Sequence, residues 1–280
     1  MIEYQDEQYR IFDAHTHWSK LMSRLLGPAL EYLSTNEILD HAFTTWKAVK
    51  KDSCGSRDLK ANMYAEIMDK YGIDKLICLP VFQFDVKFSI ECHQRHPDRI
   101  VGFGAVKPRA SERKLKKSFS WLKQNKVPGI KLHAQYNNFN IKLHAEEILR
   151  VLRLLEENKM IALFHTGSHF DIRDLNPLLR EVDDLTVILG HMGLGPQADQ
   201  AIDCAIKNPN VYLETSGQPY DYLIRYAIRH PDIGIDRILY GSDLPTLDPT
   251  VEMMKILDLP ISASEKHRIL YNNCESLLAR

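Results

Sequence analysis

The 280-residue sequence predicts an α/β fold, a (β/α)8 TIM barrel with a helical insertion after the first strand. Three observations predict it. Short apolar runs recur eight times along the chain. From the second run onward they begin roughly every 25 to 30 residues, the length of one strand, one helix and two loops. The segments between them carry helical periodicity. An open doubly wound sheet also alternates strands and helices, so that alternative stands beside the barrel.

The eight predicted strands are Arg10–Ala14, Lys75–Leu79, Ile100–Ala105, Gly129–Leu132, Ile161–Phe164, Thr186–Leu189, Val211–Glu214 and Arg237–Tyr240. In Ala145–Asn158, residues Ile148, Val151, Leu152, Leu154 and Leu155 share one helical face. Ser111 precedes the helical pattern of Leu115, Phe119 and Leu122, and Pro128-Gly129 breaks the chain before the next strand. Asp248-Pro249 opens a late helix through Ile256, and Ser262–Leu278 forms the last one, with Ser264 as a candidate cap. The first and second strands are too far apart for a single helix. Glu31–Lys51 reads as a helix, 52–56 as a loop, and a second helix runs to Tyr71. This insertion, about residues 19–62, belongs on the active-site face of a barrel, as a lid, a pocket wall or an interface.

Composition narrows the class. The chain is 44% hydrophobic and 26% charged, as soluble globular domains are, and long enough for residues 1–280 to form one domain around one core. A net charge of −1 and a pI near 6.9 argue against nucleic acid or an anionic membrane as a bulk electrostatic partner. Five cysteines without a CxxC pair suggest no disulfide framework. There is no apolar run of about 18 residues to span a membrane, and the polar start MIEYQDEQYR is no signal peptide. A cytoplasmic protein with a small-molecule substrate is expected, with homo-oligomerisation left open.

The chemistry lies at the strand ends. Asp13-Ala14-His15-Thr16-His17 carries two histidines one residue apart. With 12 histidines in 280 residues, about half such a pair arises by chance, so the pair needs support from the rest of the chain. That support is positional. Lys131 and His133 close the fourth predicted strand, His165 the fifth, His191 the sixth and Asp243 the eighth. In a barrel these ends converge on one face. Side chains alternate along a strand, so His15 and His17 point the same way, and on that pattern Asp13 shares their inward face. Two neutral imidazoles presented together can bind one divalent ion, with His165 as a third ligand and Asp243 as a fourth group. Imidazole and carboxylate donors suit zinc first, and also manganese, iron or cobalt, as one ion or two.

The motifs Asp-Ala-His-Thr-His (13–17), Gly-Ile-Lys-Leu-His (129–133), Leu-Phe-His-Thr-Gly (163–167), Leu-Gly-His-Met-Gly (189–193) and Tyr-Gly-Ser-Asp-Leu-Pro (240–245) resemble the amidohydrolase superfamily, in particular its amidohydrolase-related branch of metal-dependent barrel hydrolases. The last helix, with Ile269-Leu270-Tyr271-Asn272-Asn273, is similar too. The resemblance spans nearly the whole chain. It implies that His15, His17, His165 and Asp243 are metal ligands and that His191 is an acid/base or substrate-polarising group. It also raises the reading of Lys131 as a carboxylated bridge between two ions; the other reading is a paired lysine deeper in the barrel, with His133 touching substrate.

Weaker candidates surround this set. His169 follows His165 by four, in a loop that suits a substrate-side or a structural role. Arg109 after the third strand meets an anionic substrate or solvent; Trp18 lines the pocket or packs; Asp13 orients a ligand or closes a strand; Tyr136, Asn137 and Asn138 are pocket candidates. His41, His93, His96, His144, His230 and His267 fall away from strand ends, where surface roles dominate. Hydrolysis of a small ester, lactone or amide heads the functional expectations. Asp243 would act as general base on a metal-activated water and His191 would stabilise the oxyanion. Non-oxidative decarboxylation of an aromatic or enoic acid follows, since the same branch includes decarboxylases, with Asp243 or His191 protonating carbon. A non-catalytic binding barrel is the third.

Overall fold

Eight parallel strands carry the fold: β3 (Phe12–His17), β4 (Lys75–Leu79), β5 (Ile100–Gly102), β6 (Gly129–Leu132), β7 (Ile161–His165), β8 (Val187–Gly190), β9 (Val211–Glu214) and β10 (Ile238–Leu239). Every predicted strand is present. The computed structural model describes residues 1–17, 56–81, 85–167 and 170–279. Most of the expected insertion, together with Trp18 and His169, lies outside the described residues. Helices α1 (Ser56–Lys70), α2 (Val86–Arg95), α3 (Glu112–Gln124), α4 (Ala145–Glu157), α5 (Asn176–Leu179), α6 (Ala198–Lys207), α7 (Asp221–Arg229) and α8 (Pro249–Leu257) follow the strands in turn, and α9 (Ala263–His267) and α10 (Asn273–Leu278) end the described chain.

The strands form a run of five, β10-β9-β8-β7-β6, and a run of three, β3-β4-β5. Two seams join the runs. At one, Gly104 N donates to Gly129 O and Lys131 N to Gly104 O, each at 2.8 Å. At the other, Ala14 N donates to Tyr240 O at 2.9 Å, Asp243 N to His15 O at 2.7 Å and His17 N to Leu244 O at 2.6 Å. The sheet therefore closes on itself and leaves no edge, which rules out the open doubly wound alternative.

Alternation along the strands builds two cores. Ile77, Phe103, Leu163, Ile188, Tyr212 and Leu239 pack inside the barrel, where Tyr271, Cys274 and Leu277 join them. The residues between them, such as Leu76, Leu132, Phe164 and Leu213, face outward against Leu115 and Phe119 of α3 and Val151 and Leu155 of α4. This is the pattern expected of parallel strands buried on both faces.

Three features differ from the expected elements. The first residues form an antiparallel hairpin, β1 (Ile2–Tyr4) with β2 (Glu7–Tyr9), turning through Gln5 and Asp6 at φ 49° and 63°. Positive φ at both positions matches the twist of a two-residue hairpin, but neither residue is the glycine that usually signals one. The last helix is capped by Ser262, not Ser264. The Ser262 Oγ accepts from Glu265 N, and the Glu265 carboxylate accepts from Ser262 N, a reciprocal box that requires the acid three residues on.

The third concerns β3, which runs three residues past its expected end. Its register with β4 shifts between Asp13 and Thr16. Phe12 and Ala14 belong to the inner core, while the Thr16 hydroxyl donates to Ile77 O at 2.7 Å and accepts from Tyr64 on the helix side. The irregularity thus switches the strand's alternation, so that Phe12, Ala14, His15 and His17 all face inward. Asp13 does not share that face, contrary to the uninterrupted pattern. Its Oδ1 accepts from His15 N at 3.1 Å and Ser242 N at 2.9 Å, stapling β3 to the loop after β10. Burial raises its carboxyl pKa to about 7 against the opposing hydrogen bonds from Ser242 and His15. Replacing Asp13 by Ala strands two buried N–H groups and should cost about 2–4 kcal/mol in urea unfolding. A variant as stable as the parent would show that this carboxylate does not hold the seam.

Candidate metal centre

The C-terminal ends of the strands converge as the histidine positions require. His15, His17, Lys131, His133 and His191 are buried, with His15 fully enclosed. His15 Nε2 lies 3.1 Å from His17 Nε2 and 3.6 Å from Asp243 Oδ1, and the His17 Nε2–Asp243 Oδ1 distance is 3.3 Å. His15, His191 and Asp243 also each bring a ligand atom within 4.8 Å of the others.

Hydrogen bonds on the far side of each ring set the tautomers. His17 Nδ1 is 3.1 Å from Leu79 O; a carbonyl only accepts, so Nδ1 carries the hydrogen and Nε2 presents a lone pair. His15 Nδ1 donates to Glu214 Oε2 at 2.5 Å, which leaves its Nε2 as an acceptor. Burial, followed by the Lys131 charge, holds the His15 pKa well below its ordinary value, so the ring is neutral and the contact is N–H donation to a carboxylate. Two imidazole lone pairs and a carboxylate oxygen therefore face one another at close range. Three such acceptors repel unless a cation sits between them. The donor set fits a divalent ion bound through nitrogen and oxygen.

Glu214 anchors the arrangement, and the sequence reading passed over it. Its Oε2 accepts from His15 Nδ1, from His191 N at 3.1 Å and from Ser216 Oγ at 2.9 Å, and its Oε1 accepts from Ser216 N at 2.5 Å. His191 Nδ1 donates to Ser216 O at 3.1 Å, so its Nε2 accepts from His165 Nδ1 at 3.0 Å. Burial is the chief reason that both His165 and His191 have lowered pKa values. His165 thus joins the His15 and Asp243 group through His191. The available signal was position: Glu214 closes the predicted strand Val211–Glu214 as the histidines close theirs.

Two inward glycines make the room. A Cβ on Gly190 would stand 2.8 Å from His15 Cε1, and a Cβ on Gly241 would stand 2.8 Å from His15 Cβ and closer still to the Glu214 carboxylate. Neither site tolerates a side chain without moving the His15–Glu214 pair.

Lys131 lies 2.7 Å from His15 Nε2, and burial lowers its pKa to about 7. His133 stacks on His165 at 4.1 Å between ring centroids and on Tyr136 at 4.1 Å, toward the mouth. Asn137 Oδ1 accepts from His133 N at 2.8 Å. Arg109 stands apart, exposed, in a cleft that also reaches Tyr136 and Asn138.

Solved structures share this fold. An uncharacterised TIM-barrel protein from Bordetella bronchiseptica superposes with a TM-score of 0.72 at 16% identity, over 96% of this chain and 98% of that one. A dihydroxybenzoic acid decarboxylase from Polaromonas, with bound manganese and the inhibitor 2-nitroresorcinol, gives 0.68 at 16% identity over 97% of each chain. A 5-carboxyvanillate decarboxylase from Novosphingobium aromaticivorans, with manganese and a nitrobenzoic acid, gives 0.67 at 15% identity over 97% of each chain. No curated relative matches the chain in sequence. The family model described as amidohydrolase matches residues 12–280. The chain belongs to the amidohydrolase family, as a metal-dependent enzyme built on a (β/α)8 barrel.

Proposed function

We propose that the protein catalyses the non-oxidative decarboxylation of a small aromatic or enoic acid, and that this reading displaces the hydrolysis of an ester, lactone or amide. The observation that carries it is the likeness of the whole fold to decarboxylases that bind manganese, which also favours manganese over the zinc first expected. Lys131 adds a proton donor at the centre: its Nζ lies 2.7 Å from His15 Nε2, and burial lowers its pKa to about 7.

His15, His17 and Asp243 would hold one divalent ion, with His165 completing the set. When bound, the ion supplies a Lewis acid for the substrate oxygens. The chain's own groups do the rest. The Lys131 ammonium neutralises the reacting carboxylate. As the carbon–carboxyl bond breaks, its electron pair stays on carbon and takes the proton from Lys131 Nζ, while CO2 departs. The resulting neutral amine recovers a proton from solvent.

The manganese-loaded protein should release CO2 from a panel of hydroxybenzoates and enoic acids and leave ester, lactone and amide panels intact. Turnover of an ester or lactone without CO2 would overturn the proposal. Lys131→Met should lower kcat by roughly 10³-fold while keeping its metal; activity near that of the parent would remove Lys131 from the reaction. For Glu214→Gln, metal titration should show affinity weakened about 10- to 100-fold with one ion per chain still bound at saturation. Unchanged affinity would mean that Glu214 does not orient His15.

A further inference from the structure

A cleft of about 1170 Å³ lies between the loop after β5, one face of α3 and the loop after β6, and two of its lining residues, Tyr136 and Asn137, also contact His133. Lys87, Lys107, Arg109, Lys114 and Lys117 line it, and no carboxylate does so among the described residues. All five are exposed, and none forms an ion pair with a described residue. Helix α3 supplies an internal contrast: Lys116, away from the cleft, pairs with Glu112 at 2.6 Å, while Lys114 and Lys117 toward the cleft have no ion-pair partner among the described residues. The chain as a whole carries a net charge of −1, so five like charges at one place are not a consequence of general basicity. Clustered cations repel, and an anion among them relieves the repulsion.

Tyr136 connects this cleft to the centre. Its ring lines the cleft and stacks on His133, which stacks on His165. The stack thus leads from the centre to the lining of the cleft. Typical small-molecule sites occupy about 300–1,000 Å³, so a single-ring acid would leave most of this space empty.

We propose that the natural substrate carries a second oxyanionic group, a carboxylate or a phosphate, remote from the reacting carboxylate, and that Lys107, Arg109 and Lys114 seat it. The identity of the reacting group rests on the decarboxylase reading; the anion preference of the cleft does not.

Calorimetric binding to the manganese-loaded protein tests it with three benzoates that differ only at the tip of the tail: 4-propylbenzoate, 4-(2-carboxyethyl)benzoate and 4-(2-phosphonoethyl)benzoate. One or both dianions should bind about tenfold more tightly than the propyl compound, as expected for one charge-assisted contact. Preference for the carboxyethyl compound assigns a carboxylate, and preference for the phosphonoethyl compound a phosphate. In a Lys107→Ala, Arg109→Ala, Lys114→Ala triple variant with unchanged Tm, the affinity ratio should fall to near one. Equal binding of all three compounds by the parent, or a ratio retained by the triple variant, would overturn the proposal. Dianion preference without CO2 release would sink decarboxylation and leave the cleft assignment standing; CO2 release without dianion preference would do the reverse.

Discussion

A single fully buried carboxylate organises the centre. Glu214 accepts hydrogen bonds from two side chains and two backbone amides, and each acceptance dictates a proton position elsewhere. Because it takes the Nδ1 hydrogen of His15, the lone pair of that ring must point to the barrel axis. Because it takes the Ser216 hydroxyl hydrogen, Ser216 is oriented beside His191, and His191 in turn receives from His165. A buried charge without such partners would cost several kcal/mol; with four donors, its cost is offset and the surrounding rings gain one orientation each.

The barrel is built to admit this pair. Its ring closes through backbone hydrogen bonds at two seams, one of which runs through His15 and Asp243 themselves. The seam and the centre are therefore one structure: Asp13 ties His15 N to Ser242 N from outside the barrel, while Glu214 holds the His15 ring from inside. The register shift in β3 turns the consecutive residues Ala14 and His15 inward, and the glycines at 190 and 241 leave the space that the His15 ring fills.

Charge is separated by depth. Near the axis, burial keeps His15, His165 and His191 neutral and lowers Lys131 to about 7. Farther out, exposed lysines and Arg109 line the neighbouring cleft. The His165–His133–Tyr136 stack connects the two regions.

The eight strands, their order and the residues at their ends were legible in the sequence, because burial on both faces writes continuous apolar runs and the spacing of those runs counts the helices between them. His15, His17, Lys131, His165, His191 and Asp243 could be gathered from that pattern alone. Tertiary structure decided the rest. Whether the sheet closes depends on hydrogen bonds between residues more than 200 positions apart. The inward turn of His15 depends on a shift in pairing with β4 that leaves no mark in local composition. Glu214 resembles any strand-end acid until the strands are wrapped around it, and Asp13 lies outside the barrel although simple alternation faces it inward. Even the protonation of each group follows from burial and partners that exist only in the folded chain.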